Sequence, residues 1–319
     1  MTLSVVIVIA SDTLMARGGV DHLRHCLGKL HRQEDPPLLE VVVPHRAGVC
    51  GLDELRREFP DVRFARVDDL KRSDPRRPGR EHHDELRAKG IALTRGDVVA
   101  LLEDHEYPAA RWAAEVAAAH LSSDVEVIGG AVENSVDRPL NWALFFCDFA
   151  QYLNPVSRGP SLAATDVNVS YKRHALDAVV PVWRERFHER LIHDALVARG
   201  FRLALAPAIV VHQHRVDVAP RGALWERFLW GRSYAASRAE HWGHARRLVY
   251  TALCPLLPLV LMSRIAAAVL GKRRCRREFL RALPWLVPLS AAWSVGELVG
   301  YLTVRPHPGL AAACPAEGA

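Results

Sequence analysis

Short apolar runs alternate with segments of helical periodicity along the amino-terminal part of the chain. Each run is continuous and rich in valine, isoleucine and leucine, which is typical of a strand buried on both faces. The predicted strands lie at 3–10, 38–44, 62–67, 96–104 and 125–132. The predicted helices lie at 20–33, 53–59, 84–93 and 109–121. This order predicts an α/β fold with a mostly parallel, doubly wound sheet, whose ligands bind at the carboxyl ends of the strands.

Two common nucleotide-binding loops have no counterpart in the sequence. No Gly-x-Gly-x-x-Gly follows the first strand, which disfavours a dinucleotide-binding Rossmann domain, and there is no P-loop motif. The first apolar run also lacks the basic start of a signal peptide, so it is interpreted as a strand. Residues 68–83 are polar and contain two prolines; they predict a loop, either a solvated linker or a loop over a phosphate.

The carboxyl-terminal part of the chain carries two long apolar runs with a basic segment between them. The first spans 248–271 with Arg264 inside it, and the second spans 282–304 with Glu297 inside it. A bilayer crossing needs about 20 apolar residues, so both runs are candidates for membrane association. The segment between them, GKRRCRRE, is strongly basic.

Several arrangements of these runs are possible. Two full crossings from a cytosolic amino-terminal domain would put the basic segment outside, against the positive-inside rule. A re-entrant or interfacial hairpin, with the basic segment on anionic headgroups, avoids that conflict and is preferred; an unusual topology would avoid it as well. A buried helical pair in a soluble protein is the remaining arrangement. The predicted division is an α/β domain at 1–220, an amphipathic linker helix region at 221–245, and a membrane-associated helical hairpin with a tail at 246–319.

Composition and charge limit the classes of molecule that the protein is expected to bind. The 319 residues carry a formal net charge of +6, which favours anionic partners. Much of the excess positive charge lies between the apolar runs and no aromatic–basic module is visible, so nucleic-acid binding is not expected. The six cysteines form no Cys-x-x-Cys pair, which excludes a zinc ribbon or a thioredoxin motif. A disulfide-stapled secreted scaffold is not expected at this length, and the reducing cytosol is the expected compartment.

An acidic run at the end of the strand predicted at 96–104 is the most informative chemical signal. Apolar residues lead into Glu103, Asp104, His105 and Glu106, and Pro108 ends the strand. Grouping acids in this way costs stability through like-charge repulsion. A hard divalent cation relieves that repulsion, and oxygen ligands suit Mg²⁺ or Mn²⁺. An ordinary acidic loop is the alternative that the run alone leaves open.

Four segments in order resemble the sequence blocks of family-2 glycosyltransferases, an inverting group with the GT-A fold. They cover most of residues 1–215. The matching segments are SVVIVIAS (4–11), RAKGIALTRGDVVALLEDHEYP (87–108), TDVNVSYKRHAL (165–176) and FHERLIHDALVARGFRLALAP (187–207). The resemblance implies a GT-A nucleotide-sugar-binding fold and an inverting transfer of a sugar to a hydroxyl.

The resemblance also implies a divalent ion, Mg²⁺ or Mn²⁺, held by a motif of the DxD type. The aligned residues are Glu103, Asp104 and His105, and His105 stands where the family usually has an aspartate. Imidazole suits Mn²⁺ better than Mg²⁺. Some GT-A enzymes supply a metal-ligating histidine from the part of the chain that corresponds to the strand predicted at 203–215. His212 or His214 could therefore complete the ligand set, and His214 is included in it; solvent-facing histidines are the alternative.

Further residues are assigned by the same alignment. Ser11, Arg87 and Asp104 are expected to contact the donor, and Arg87 either lies near the diphosphate or braces the acids by a bidentate pair. An inverting transfer needs one general base that removes the proton of the acceptor hydroxyl. Glu189 aligns with the family's catalytic aspartate and ranks first; Asp194 ranks second.

One turn departs from the family pattern. The family commonly has VVDDGS after the second strand, but this chain reads VVVPHRAG at 41–48, with Pro44 and His45 in place of two acids. The usual contact to the donor base is therefore missing. The predicted function is a metal-dependent hexosyltransferase of polysaccharide biosynthesis at the cytoplasmic side of the cell membrane. Its partners would be a nucleotide-sugar donor, a lipid-linked or glycan acceptor, and the membrane surface. A catalytically degenerate, membrane-anchored scaffold on the same fold is the alternative.

Overall fold

The described part of the chain divides into a sheet unit and a helical unit. The computed structural model describes residues 1–10, 20–70, 80–216, 218–239 and 242–304. Among these, the sheet unit comprises Met1–Glu133 and Asn154–His214, and the helical unit comprises Asn134–Leu153 and the residues after His214. Ser11 and most of the loop predicted at 68–83 lie outside the described residues. The predicted three-part domain division stays a prediction.

One sheet of nine strands forms the centre of the sheet unit, counted over the described residues. Its order is β3-β2-β1-β4-β8-β6-β9-β5, with β7 paired to β9. The strands are β1 (Thr2–Val8), β2 (Leu38–Arg46), β3 (Arg63–Val67), β4 (Val98–Glu103), β5 (Glu106–Pro108), β6 (Val127–Asn134), β7 (Gly159–Pro160), β8 (Val169–Lys172) and β9 (Leu203–Gln213).

The sheet is mixed in direction. β1 is parallel to β2 and β4, and β2 is parallel to β3. β8 runs antiparallel to β4 and β6, and β9 runs antiparallel to β5 and β7. The predicted α/β class is confirmed, and parallel pairing is found in β1–β4, where helices connect the successive strands. Beyond β4 the strands are not joined in this regular way: β5 follows β4 after only Asp104 and His105, and β8 enters between β4 and β6 in the opposite direction.

Twelve α-helices lie in the described residues, and the first four of them lie close to the helices predicted from the sequence. Those of the sheet unit are α1 (Asp21–His31), α2 (Leu52–Glu58), α3 (Arg80–Leu93), α4 (Trp112–Leu121), α6 (Arg173–Ala178), α7 (Val180–Trp183) and α8 (Glu189–Val197). Those of the helical unit are α5 (Pro139–Phe149), α9 (Pro220–Ala239), α10 (His244–Leu253), α11 (Leu257–Gly271) and α12 (Arg276–Thr303), with a short 3₁₀ turn at Cys254–Leu256.

A buried apolar cluster holds α3 and α8 in the sheet unit. It joins residues of β1, β4 and β8 to residues of both helices, and its members include Val6, Leu101, Tyr171, Ala88, Ile91, Ile192 and Leu196. Ala88 follows Arg87 on α3, and Ile192 lies on the first turn of α8, which begins at Glu189. Because close-packed side chains hold the helices in one place, the polar residues beside them are held as well.

Glycines bring α9 and α12 close together in the helical unit. α12 packs more extensively against α9 than against any other described element. A Cβ atom added at Gly296 would lie 2.1 Å from the carbonyl oxygen of Phe228, and one added at Gly231 would lie 2.3 Å from that of Trp293. Neither distance is sterically allowed, so the two backbones meet where only glycine fits.

Helices of the helical unit leave large apolar side chains exposed. Leu248, Leu259 and Leu280 are 64%, 71% and 64% exposed. The segments His244–Gly271 and Arg276–Thr303 are each 28 residues long and apolar enough to cross a membrane by length and composition. The apolar runs predicted from the sequence are therefore helical, with much of their apolar surface uncovered by the chain.

Candidate active site

The acidic run lies at the carboxyl end of β4, where the chain turns into β5. The backbone N–H of Asp104 donates to the carbonyl oxygen of Val8 (3.0 Å), and the N–H of Ala10 donates to Asp104 Oδ1 (2.9 Å). Asp104 is fully buried. One of its carboxylate oxygens is thus engaged by the end of β1, which fixes the turn beside the neighbouring parallel strand.

His105 lies among three carboxylates. Its Nδ1 is 3.3 Å from Asp104 Oδ1, and its Nε2 is 3.6 Å from Glu106 Oε1 and 3.8 Å from Glu103 Oε2. Burial lowers the pKa of His105, but the hydrogen bond to Asp104 and the charges of Glu106 and Glu103 outweigh it and raise that pKa to about 9. The imidazole is therefore protonated at neutral pH as the chain stands, and a cation binding there would displace that proton.

Three side chains of this run have the composition of a divalent metal site. Glu103, His105 and Glu106 each offer one ligand atom, and these atoms lie within 4.8 Å of one another. Two carboxylates with one imidazole suit Mn²⁺ and related ions better than Mg²⁺. The donor set therefore fits the metal that the sequence predicts, with Glu106 as a member that the alignment did not include.

Arg87 on α3 joins the acids of separate segments. Its Nη2 pairs with Glu103 and lies 3.0 Å from Asp166 Oδ2, and its Nη1 lies 3.3 Å from Asp84 Oδ1. The arginine is 1% exposed. Burial opposes its charge, but the surrounding carboxylates raise its pKa above the ordinary value. Of the two roles predicted for Arg87, this geometry supports bracing of the acids.

The two candidate bases lie in different surroundings. Glu189 begins α8, is partly buried, and acts electrostatically on Arg87. Asp194 accepts a hydrogen bond from Arg190 (2.9 Å) and its side chain is 54% exposed. Glu189 therefore belongs to the electrostatic surroundings of the acidic site, whereas Asp194 forms a surface ion pair of the kind found along many helices.

A group of imidazole and phenol rings lies against the acidic run. Tyr107 stacks on His214, with ring centres 5.1 Å apart, and its hydroxyl is 3.0 Å from His22 Nδ1. The ring of His22 lies 6.4 Å from that of His105 and 6.3 Å from that of His214. The N–H of His214 donates to the carbonyl oxygen of His105 (2.8 Å). The end of β9 is thereby fastened to the turn that carries the acids.

His212 and His214 differ in their electrostatic neighbours. Burial lowers the pKa of both, but the nearby charges are Glu133 and Lys29 for His212, and His22, His25 and His105 for His214. The structure therefore groups His214, rather than His212, with the acidic run.

Four residues of this site were not singled out from the sequence as ligands or partners: Asp84, Asp166, Glu106 and His22. Asp166 lies inside the block 165–176, and Asp84 lies three residues before Arg87, so both stood within or beside matched segments. His22 carries no sequence signal, because only the fold brings α1 to β5. A buried arginine needs carboxylate partners, and that need is the signal that could have pointed to Asp84 and Asp166.

At the end of β2, where the sequence departs from the family pattern, a histidine contacts an arginine of α2. His45 is buried, and its Nε2 is 3.1 Å from Arg56 Nη2. Burial lowers the pKa of His45, and the charge of Arg56 lowers it further. The position where the family pattern has acids is therefore neutral or basic in this chain.

The sequence matches no protein-family model and no curated protein.

Solved structures share the fold. One is the mannosyltransferase PcManGT from Pyrobaculum calidifontis in complex with GDP-Man and Mn²⁺, with a TM-score of 0.53 and 15% identity over 93% of this chain and 86% of that chain. Another is S. aureus TarS 1-349 in complex with UDP-GlcNAc, with a TM-score of 0.52 and 11% identity over 92% of this chain and 91% of that chain. The chain therefore has an α/β fold like that of GT-A glycosyltransferases, with two apolar helices near its carboxyl terminus.

Proposed function

We propose that this chain is an inverting, metal-dependent glycosyltransferase that moves a sugar from a nucleotide-sugar donor to an acceptor hydroxyl. The observation that carries the proposal is the group Glu103, His105 and Glu106 at the carboxyl end of β4. This is the sheet edge where ligands bind in α/β folds. The fold is shared with structures that hold GDP-Man with Mn²⁺ and UDP-GlcNAc, which supports a nucleotide sugar as the donor.

The metal would be held by Glu103, His105 and Glu106, with Mn²⁺ preferred over Mg²⁺ because of the imidazole. Asp104 and His214 stay predicted ligands. When bound, such an ion supplies charge neutralisation for the departing nucleoside diphosphate. Arg87 holds the Glu103 carboxylate in place, and the N–H of Ala10 holds that of Asp104, so these two acids are oriented before any ligand arrives.

Glu189 is the proposed general base. A carboxylate that accepts the proton of the acceptor hydroxyl as the oxygen attacks the anomeric carbon completes an inverting displacement. Glu189 is partly buried at the start of α8 and interacts electrostatically with Arg87, which joins the acids of the candidate site. Asp194 is the weaker candidate because it is engaged by Arg190 at the surface.

The acceptor is proposed to be a lipid-linked or polysaccharide intermediate at the cytoplasmic face of the cell membrane. The support is the exposed apolar surface of α10, α11 and α12, which a membrane would cover. A hexosyl group is the sugar that we expect to be transferred. The missing acids at Pro44 and His45 favour one alternative, a catalytically degenerate scaffold that keeps the fold and the membrane association.

Thermal stabilisation of the full chain by UDP, GDP and dTDP, with Mn²⁺ or with EDTA, tests the proposal. We expect one nucleotide to raise the unfolding temperature only with Mn²⁺, and the matching nucleotide sugar to be turned over. The Glu106→Gln variant should lose the Mn²⁺-dependent part, while the same change at Glu115, a partly exposed acid on α4, should keep it. Stabilisation without turnover of any nucleotide sugar would favour the scaffold. No response to any nucleotide would refute both the transferase and its metal site.

A further inference from the structure

A cavity of about 270 Å³ lies within the helical unit, apart from the residues of the acidic site. Residues of α5, α9, α11 and α12 line it. Its apolar wall includes Phe146, Leu261, Ile265 and Leu289. Its volume is near the lower end of the range for ligand pockets, about 300–1,000 Å³, and suits a small head group with the first carbons of a chain.

Arg227 provides an incompletely bonded cation in the wall of this cavity. It is 3% exposed, and its Nη1 pairs with Asp148 Oδ1 at 2.8 Å. Its Nε and Nη2 have no hydrogen-bond partner among the described residues. Its guanidinium carbon lies 5.5 Å from the ring centre of Trp293, which also lines the cavity. Leaving N–H groups of a buried cation unbonded is costly, so oxygen atoms of a ligand would be stabilised there.

Two further residues make the cavity suitable for an anion. The hydroxyl of Ser290 is buried and, within the part of the chain that the structure describes, has no hydrogen-bond partner. Arg264 also lines the cavity and is exposed. With Arg227 and Arg264 against the single carboxylate Asp148, the ionised lining has a surplus of one positive charge. A planar guanidinium with two nitrogen atoms, Nε and Nη2, that have no hydrogen-bond partner among the described residues matches the oxygens of a phosphate.

Helix α11 carries exposed apolar side chains as well as part of the cavity wall. Leu259, Val260 and Leu270 of this helix are exposed, while its residues Leu261, Ile265 and Ala268 line the cavity. An alkyl chain attached to a phosphate in the cavity could therefore continue over apolar side chains of the same helix. Burying the methylene groups of such a chain against these side chains would stabilise the complex.

We propose that this cavity binds the phosphate head of a membrane lipid, with Arg227 and Ser290 as the head-group donors and α11 as the support for the chain. The inference rests on the proposed membrane association, but it does not depend on glycosyl transfer or on the metal site. A free phosphate shares the head-group chemistry, and the test separates the two sources.

The test is binding of single-chain probes to the full-length protein in a neutral detergent, measured by native mass spectrometry and by thermal shift. The probes are dodecyl phosphate, inorganic phosphate and dodecanol. We expect one dodecyl phosphate per chain, and no comparable binding of the other two at the same concentration. Equal binding of inorganic phosphate would overturn the lipid assignment, and equal binding of dodecanol would overturn the anion site. No binding of any probe would show that the cavity holds only water.

Matched variants locate the binding. Ala268→Phe fills the cavity without changing any charge, whereas Ala267→Phe makes the same change at an exposed neighbour that does not line it. We expect Ala268→Phe to weaken dodecyl phosphate binding about ten- to hundredfold, the effect of losing charge-assisted hydrogen bonds, and Ala267→Phe to leave it within about twofold. Arg227→Lys keeps the positive charge but removes the planar set of guanidinium N–H donors, and it should weaken dodecyl phosphate binding as well. Unchanged binding in Ala268→Phe would place the lipid elsewhere.

Separate readouts distinguish failure of this inference from failure of the proposed function. Flotation of the wild-type protein with neutral phosphatidylcholine vesicles tests membrane association alone. Donor stabilisation with Mn²⁺ tests the acidic site alone. If the protein floats and binds its donor but Ala268→Phe binds dodecyl phosphate normally, only the cavity assignment is wrong.

Discussion

The sheet unit and the helical unit differ in how many charges they bury together and in how much apolar surface they expose. The sheet unit buries Arg87 and Asp104 within one cluster, and its exposed leucines, such as Leu38, stand singly. The helical unit exposes apolar side chains along successive helices, with Leu259 71% exposed. Burying charge costs free energy unless each charge is paired, so the sheet unit concentrates that cost at one site. The exposed apolar helices instead indicate a surface that is covered by something other than water.

The largest effect, on the rate of sugar transfer, is expected from replacing the proposed general base Glu189. Glu189→Gln removes the proposed base while keeping the size of the side chain. Transfer should fall about 10²- to 10⁴-fold, the usual contribution of general base catalysis. Donor binding, measured by thermal shift with Mn²⁺, should be unchanged.

The matched control for that variant is Asp194→Asn on the same helix, at an exposed ion pair. We expect its transfer rate to stay within about twofold of wild type, as for most surface changes. The reverse ranking of the two variants would move the base to Asp194.

Next in size is the loss of the buried arginine. Arg87→Met leaves Asp84, Glu103 and Asp166 without their shared cation. Removing one partner of a buried charge pair typically costs about 3–5 kcal/mol of the free energy of unfolding. Chemical denaturation should show this loss. The control Arg111→Met, at an exposed pair with Asp35, should give no measurable change. Equal losses of unfolding free energy in the two variants would mean that the buried ion pairs of Arg87 contribute no more than the exposed pair of Arg111.

A third variant addresses the close contact of α9 and α12. Gly296→Ala places a methyl group 2.1 Å from the carbonyl oxygen of Phe228, so the helices must separate. We expect a loss of about 1–3 kcal/mol, as for overpacking in a well-packed interior. Thermal unfolding in neutral detergent would measure it. Gly271→Ala, at a position with no atom within 4 Å of the added methyl, is the matched control and should not destabilise.

The smallest effect concerns a buried neutral histidine of the sheet unit. Burial, with a smaller contribution from Lys172, lowers the pKa of His120 to about 4, and its Nε2 is 2.8 Å from Ser170 Oγ. The unfolded chain takes up this proton near pH 6.5, so the folded state loses stability as the pH falls from 6.5 towards 4. Between pH 7 and pH 5 the contribution is about 1–2 kcal/mol.

The check is the pH dependence of unfolding in His120→Gln. This variant should be less stable at pH 7, where it loses a packed side chain, but its stability should change less between pH 7 and pH 5. An identical pH dependence in both proteins would assign the acid sensitivity to other groups.

Much of the sheet unit could be predicted from hydrophobic patterning. Continuous valine-rich runs gave β1 to β4 and β6 close to their observed bounds, because a buried strand leaves a direct compositional signal. The direction of β8 was not predictable from such runs, since a four-residue strand carries no information on its partner. The strand predicted at 96–104 is observed as β4 at Val98–Glu103, so its predicted end lies one residue beyond the observed end.

Only those residues of the candidate site that are adjacent in the sequence could be predicted to lie together; residues that come from separate segments could not. The run from Glu103 to Glu106 is visible in the sequence because its residues are adjacent. The partners Asp84 and His22 come from other segments and depend on how α3 and α1 pack. Local patterns report charge and periodicity, but long-range packing decides which charges meet.

The hydrogen bond from His214 to His105 has a consequence for synthesis of the protein. The acidic turn emerges from the ribosome about a hundred residues before the strand that fastens it. Until β9 has been made, neither β5 nor the turn before it has its antiparallel neighbour. A nascent chain ending before that strand would therefore lack the antiparallel partner of β5 and the hydrogen bond from His214 to His105, whereas the contacts of Asp104 with Val8 and Ala10 need only residues that are already made.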